Sequence, residues 1–195
     1  MVLPDVCERT RRSLGLSTPV SEVAEAGLLE SLGPDIVLDF DMEAQDPSKD
    51  FWCWAAVGVS VLFFLRGESR MQCELASEVL NGFDCCNNPD PCDVMKPLEI
   101  ALARAQVYRN RVMSPVNPDI IANEMMNQKP LGCAIRWGTG KAHFVVVYGI
   151  SRDGDGTPWV AVDDPKYGKW QGSYTEFRDA YLQGAGRWIA SYFTI

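Results

Sequence analysis

One histidine, His143, serves the whole 195-residue chain. That scarcity excludes histidine-rich metal sites, and any chemistry needing an imidazole must run through this single residue. Positive charge is also short. Eighteen Lys and Arg stand against 26 Asp and Glu, for a net charge of −8 and a pI near 4.7, which argues against nucleic acid or an anionic membrane as partner. The apolar run Ala55 to Leu65 falls well short of the roughly 20 residues that a membrane span requires. No secretory signal is visible: Arg9, Arg11 and Arg12 are not followed by a sufficient apolar core, so the chain is expected to be cytoplasmic as synthesised, or to leave by another route. Internal repeats and low-complexity tracts are missing as well. What remains is a soluble globular composition, 47% hydrophobic with a mean hydropathy of −0.10. The length suits one domain, or a domain plus an arm.

Within that composition the stretch Trp52-Cys53-Trp54 stands out. It opens the run AAVGVSVLFFL, about three turns of helix apolar on nearly every face and therefore buried. A polar, turn-forming segment, Gln45 to Phe51, precedes it. Cys53 is thus expected where a loop becomes the first turn of a central helix. Unpaired N–H groups and the positive end of the helix dipole gather there, and such a site favours the thiolate, the nucleophilic form of cysteine.

A cysteine nucleophile acting on an acyl group needs a base and a group that orients the base. His143 opens His-Phe-Val-Val-Val-Tyr-Gly149, a strongly β-forming run. Asp153-Gly-Asp-Gly156 signals a turn, and Trp159-Val-Ala-Val162 reads as the returning antiparallel strand. It ends in Asp163-Asp164-Pro165, which brings an acid back beside His143. Period-two alternation puts Asp164 with Val160 and Val162, and Asp163 with Trp159 and Ala161. Asp164 is the chosen acid, with Asp163 the alternative. An oxyanion would be met by the backbone N–H of Cys53 and by the side-chain amide of Gln45. Trp52, Trp54 and Ala142 are candidates to line a substrate cleft. No metal or cofactor is called for.

The order Gln45, then Cys53-Trp-Ala-Ala56, then His143-Phe-Val-Val-Val-Tyr-Gly149, then Val162-Asp-Asp-Pro165 resembles the papain-like cysteine proteases. The likeness is greatest to small bacterial forms, the double-glycine bacteriocin-processing peptidases and the staphopain-related effector proteases of plant pathogens. It covers residues 45–195. It implies a Cys53–His143–Asp164 triad with Gln45 as oxyanion donor, and a peptide or protein as substrate. Gln45 lies eight residues before Cys53, a longer gap than in papain itself. The chain has no Gly-Gly pair, so it offers no double-glycine site of its own. Two other readings keep the fold: acyl transfer to an amine or thiol by the same triad, and a non-catalytic binding module. A monomer is favoured.

The remaining pattern is α+β: a helical N-terminal half holding the central helix, packed on an antiparallel β-sheet with a cleft between them. Residues 1–44 read as an arm or prosegment, with Thr18 capping a helix that Gly33-Pro34 ends and Ile36 to Phe40 as a strand. Helices are expected over 72–80, 97–107, 118 to just before Lys129-Pro130, and 174–182. Strands are expected over 131–137, 143–150, 158–163 and 187–194. Cys73, Cys85, Cys86 and Cys92 crowd a loop poor in apolar residues. Two disulfides, free thiols and a zinc site are the competing readings. Adjacent cysteines fit zinc spacing poorly, and an 85–86 bridge would strain the backbone.

Overall fold

The computed structural model describes residues 35–195, apart from 139 and 141. In chain order the elements are β1 (Ile36–Val37), α1 (Cys53–Arg66), α2 (Gln72–Val79), a 3-10 turn (Asp90–Cys92), α3 (Leu98–Arg104), β2 (Tyr108–Val112), α4 (Pro118–Met126), β3 (Leu131–Trp137), β4 (Ala142–Arg152), β5 (Pro158–Asp164), β6 (Gly168–Ser173), α5 (Tyr174–Gly184) and β7 (Gly186–Thr194). Four of the five described helices precede β3, and five of the seven strands follow them, in an α+β layout. The strand order is β2-β7-β3-β4-β5-β6, and β1 pairs separately with β4. Every pairing is antiparallel.

Helix α1 is the hub. Its residues from Cys53 to Leu62 are all buried, because so apolar a run is stable only when covered on all sides. Each Val or Leu taken from water here contributes about 2 kcal/mol. Gly58 lets the neighbouring helices approach closely: a Cβ there would lie 2.6 Å from Leu75 of α2 and 3.4 Å from Ala101 of α3. Gly67 ends the helix with a left-handed φ of 68°, its N–H returning to the Phe63 carbonyl, the conformation for which glycine is preferred. The other face of the core comes from the apolar strands β3, β4 and β5, whose Cys133, Ile135, Val145, Val147, Val160 and Val162 are fully buried.

Two strands escaped the hydrophobic pattern. β2 and β6 are the outer strands of the sheet, and most of their residues are exposed or half-buried. An edge strand with a polar face lacks the periodic signal that marks β3 to β5. The strand expected from Ile36 to Phe40 pairs only over Ile36–Val37. Beyond it the chain continues as a strap rather than a free arm. Leu38 and Phe40 are buried, Leu38 N donates to the Tyr148 carbonyl at 2.9 Å, and Glu43 N donates to Ser60 Oγ at 2.9 Å. Residues 36–44 therefore run along β4 and α1. The helix expected over 18–33, and the prosegment reading with it, lie outside the described residues. The last helix, α5, departs from helical geometry at Ala180 to Gln183.

Candidate active site

Cys53 is the first residue of α1, with Trp52 as N-cap and no side-chain cap on the helix. The loop leading to it is held from two directions. Gln72 of α2 donates to the Ala44 carbonyl at 2.7 Å and accepts from Asp46 N at 3.1 Å. Asp93 accepts from Phe51 N at 2.9 Å and from Asp50 N at 3.0 Å.

His143 is the second residue of β4, at the sheet end that faces this helix start. Nε2 lies 2.8 Å from Asp164 Oδ1, and the Cys53 side chain lies near enough to the ring to raise its pKa. With Nε2 committed to the acid, Nδ1 is the nitrogen left for the sulfur. All three side chains are buried, with Cys53 and Asp164 each 2% exposed and His143 6%. Burial by itself pushes the imidazole pKa down. The hydrogen bond to Asp164 and the nearby Cys53 side chain, together with the charges of both, outweigh it and raise His143 from 6.5 to about 9. The imidazolium is therefore the favoured form at neutral pH.

Asp164 is fixed by more than the histidine. Its Oδ1 also accepts from the backbone N–H groups of Lys166 at 2.8 Å and Tyr167 at 3.0 Å. Its Oδ2 accepts from the hydroxyl of Tyr181 at 3.0 Å. Tyr181 is fully buried, and burial followed by the Asp164 charge holds its hydroxyl protonated far above neutral pH. The alternative acid, Asp163, points to the opposite face of β5, as the alternation requires. There it accepts from Met42 N at 3.1 Å and anchors the strap, with burial pushing its pKa up.

Gln45 is buried close to this loop. Its N–H donates to the Pro165 carbonyl at 2.8 Å, which ties it to the segment carrying Asp164. Its side-chain amide donates to the Lys49 carbonyl. An amide has two N–H donors, and this bond uses one of them.

Cys53 and His143 open onto a cleft of about 370 Å³, walled by Phe51, Met95, Trp137 and Tyr167, with Ala142 at its edge. Ala142 thus lies where a cleft residue was expected. Trp52 and Trp54 do not. They are 1% and 0% exposed, and their indole N–H groups reach into the core to the carbonyls of Cys92 at 2.9 Å and Val94 at 3.0 Å. A buried indole needs such an acceptor, and both find it on the cysteine-rich loop. The aromatic walls are Trp137 and Tyr167 instead. Each ring centroid lies 6.1 Å from that of His143, with Trp137 tilted and Tyr167 edge-on. Trp137 ends the strand paired with the histidine's own strand, which is the signal that could have marked it. For Tyr181, at a break in its helix, the sequence carries no such signal. A second cavity of similar size lies between α1, α2 and the strap, but it is remote from His143 and contains no nucleophile–base pair.

The four clustered cysteines form two disulfides, Cys73–Cys86 and Cys85–Cys92. Cys53 and Cys133 are the free thiols among the described residues. Burial pushes the Cys133 thiol pKa well up, leaving it an inert core residue. Among the described residues, no helix is long and apolar enough to cross a membrane.

A family model described as papain-like cysteine protease AvrRpt2 matches residues 34–182. A search of curated proteins finds no match. Among solved structures, the chain is similar to the crystal structure of the Pseudomonas avirulence protein AvrPphB. The identity is 13% and the TM-score 0.37, over 80% of this chain and 98% of that one. On the family match, the chain belongs to the AvrRpt2 family of papain-like cysteine proteases.

Proposed function

We propose that this cysteine protease hydrolyses a peptide bond through Cys53, His143 and Asp164, by way of an acyl-enzyme. The single observation that supports the reading is that Cys53 and His143 line one cleft while the buried Asp164 carboxylate holds the imidazole from its far side. The Cys53 thiol gives its proton to His143, whose charged form Asp164 favours. The sulfur attacks the scissile carbonyl, and the oxyanion that forms is met by the backbone N–H of Cys53 and the free N–H of the Gln45 amide. His143 then gives its proton to the leaving amine, and the C–N bond breaks. A water molecule enters, loses a proton to the now neutral His143 and attacks the thioester. The carboxylic acid product leaves, and the sulfur and imidazolium are restored. Asp164 keeps the ring oriented throughout and stabilises its positive form, while Tyr181 holds the carboxylate in place from behind.

The testing experiment uses fluorescein-labelled casein as a general protein probe. Cys53→Ala is expected to lose cleavage by at least a factor of about a thousand with an unchanged circular dichroism spectrum. Cleavage by that variant at the wild-type rate would rule out the mechanism.

A further inference from the structure

The helix that presents Cys53 lacks a side-chain cap, so the turn before it must be fixed from outside. Most of that fixing comes from one short segment. Asp93 accepts both backbone N–H groups of Asp50 and Phe51, one on each carboxylate oxygen. The adjoining carbonyls of Cys92 and Val94 take the indole N–H groups on either side of the nucleophile. Lys49, 6% exposed, forms an ion pair with Asp90 at 2.9 Å. Every residue from Lys49 to Trp54 except Cys53 itself therefore contacts residues 90–94.

That segment has little apolar content to hold it. Beyond the 3-10 turn Asp90–Cys92 it contains no regular element. Its shape is set covalently. Cys85–Cys92 closes the loop directly before Asp93, and Cys73–Cys86 ties it to α2, the helix whose Gln72 holds the other end of the nucleophile loop. Closing a loop in this way removes conformations in which Asp93 would face elsewhere.

We propose that Asp93 is a positioning residue for the reaction at Cys53, and that the two disulfides hold it in that role, so that catalytic competence follows the oxidation state of this loop. The inference rests on the reading of Cys53 as nucleophile. A dithiol reductant would supply two electrons and two protons to each bridge. Each S–S bond would break to give two thiols, and the dithiol would close to its own disulfide. Asp93 would then be free to leave the two N–H groups, and the turn would no longer aim the sulfur at His143. Cys53 takes no part in either bridge, so its thiol would be spared while its alignment was lost.

The test follows the rate at which iodoacetamide alkylates Cys53, read from the mass of its own peptide across pH 5–10, in the full chain. Asp93→Asn keeps the shape but exchanges one acceptor oxygen for a donor. It is expected to slow alkylation at pH 6 about tenfold and to move the profile toward that of an unpaired thiol, with a still cooperative thermal melt. A loss of overall stability alone would not move that profile in the folded protein. Cys85→Ser with Cys92→Ser is expected to do the same. Wild-type rate and profile in Asp93→Asn would overturn the role of Asp93, and the same result in the folded double serine variant would overturn the role of the bridge. Should the double variant not fold, the wild-type chain reduced with dithiothreitol and then desalted decides for the bridge, an unchanged profile overturning its role. Casein cleavage by Cys53→Ala separates the two levels. If that variant is inactive while Asp93→Asn behaves as wild type, only the positioning inference falls. If Cys53→Ala cleaves normally, the nucleophile reading falls and takes this one with it.

Discussion

Replacing Asp164 by Asn should unmake the charged state of His143 while leaving the fold standing. The substitution keeps the shape of the side chain. Its carbonyl oxygen can still accept from Lys166 N and Tyr167 N, and its amide can donate to the Tyr181 hydroxyl, which accepts as well as donates. What disappears is the negative charge beside the imidazole. Burial, the largest influence on His143 and one that lowers its pKa, is then opposed only by the contacts with Cys53. The wild-type value of about 9 should fall to 6.5 or below. That interval corresponds to about 3 kcal/mol. Because the folded value is the raised one, this stabilisation is complete below pH 6.5 and disappears as pH climbs through about 9. The stability gap between wild type and Asp164→Asn should therefore be widest in mild acid and close in alkali. The assay is direct because the chain has only one histidine, so its imidazole protons titrate as one set of NMR signals. An Asp164→Asn midpoint near 9, or a stability gap that widens toward alkaline pH, would refute the assignment of Asp164 as the partner that charges His143.

Two further substitutions probe the loop around the nucleophile. Gln45→Ala should lower kcat on labelled casein about a hundredfold with little change in KM, as expected for an oxyanion donor, and an unchanged kcat in steady-state kinetics would remove Gln45 from that role. Trp52→Phe should remove one of the two hydrogen bonds to the Cys92 carbonyl, which keeps that from Val94 N, and cost about 1 kcal/mol in denaturant unfolding, whereas a change in substrate preference at full stability would return Trp52 to the cleft.

The residues proposed as nucleophile, base and acid stand out in the sequence because each sits where a strong local signal changes. Cys53 marks a polar loop giving way to an apolar helix, His143 opens an apolar strand, and Asp164 closes the strand paired with it. The tight turn at Asp153 to Gly156 then fixes which strand ends meet. The choice between Asp163 and Asp164 followed from alternation alone. What stayed hidden depends on contacts distant in sequence. Trp52 and Trp54 look like cleft residues beside a reactive cysteine, yet their indoles point to a loop about 40 residues away, as large apolar side chains at the start of a buried helix do. Tyr181 reaches Asp164 from a stretch where α5 loses helical geometry, which no hydrophobic pattern encodes. Asp93 reads as one more acid in a polar loop until the disulfides bring it to the nucleophile turn. The edge strands β2 and β6 were hidden by their solvent-facing residues.

The most direct measurement of whether Cys53 and His143 act as a pair is the alkylation rate of Cys53 at pH 6 in the wild type and in His143→Ala. A sulfur paired with an imidazolium should react in the wild type about a hundredfold faster than in the variant. Equal rates in the two proteins would mean that the thiol and the imidazole share no proton, and would contradict the proposed mechanism at its base.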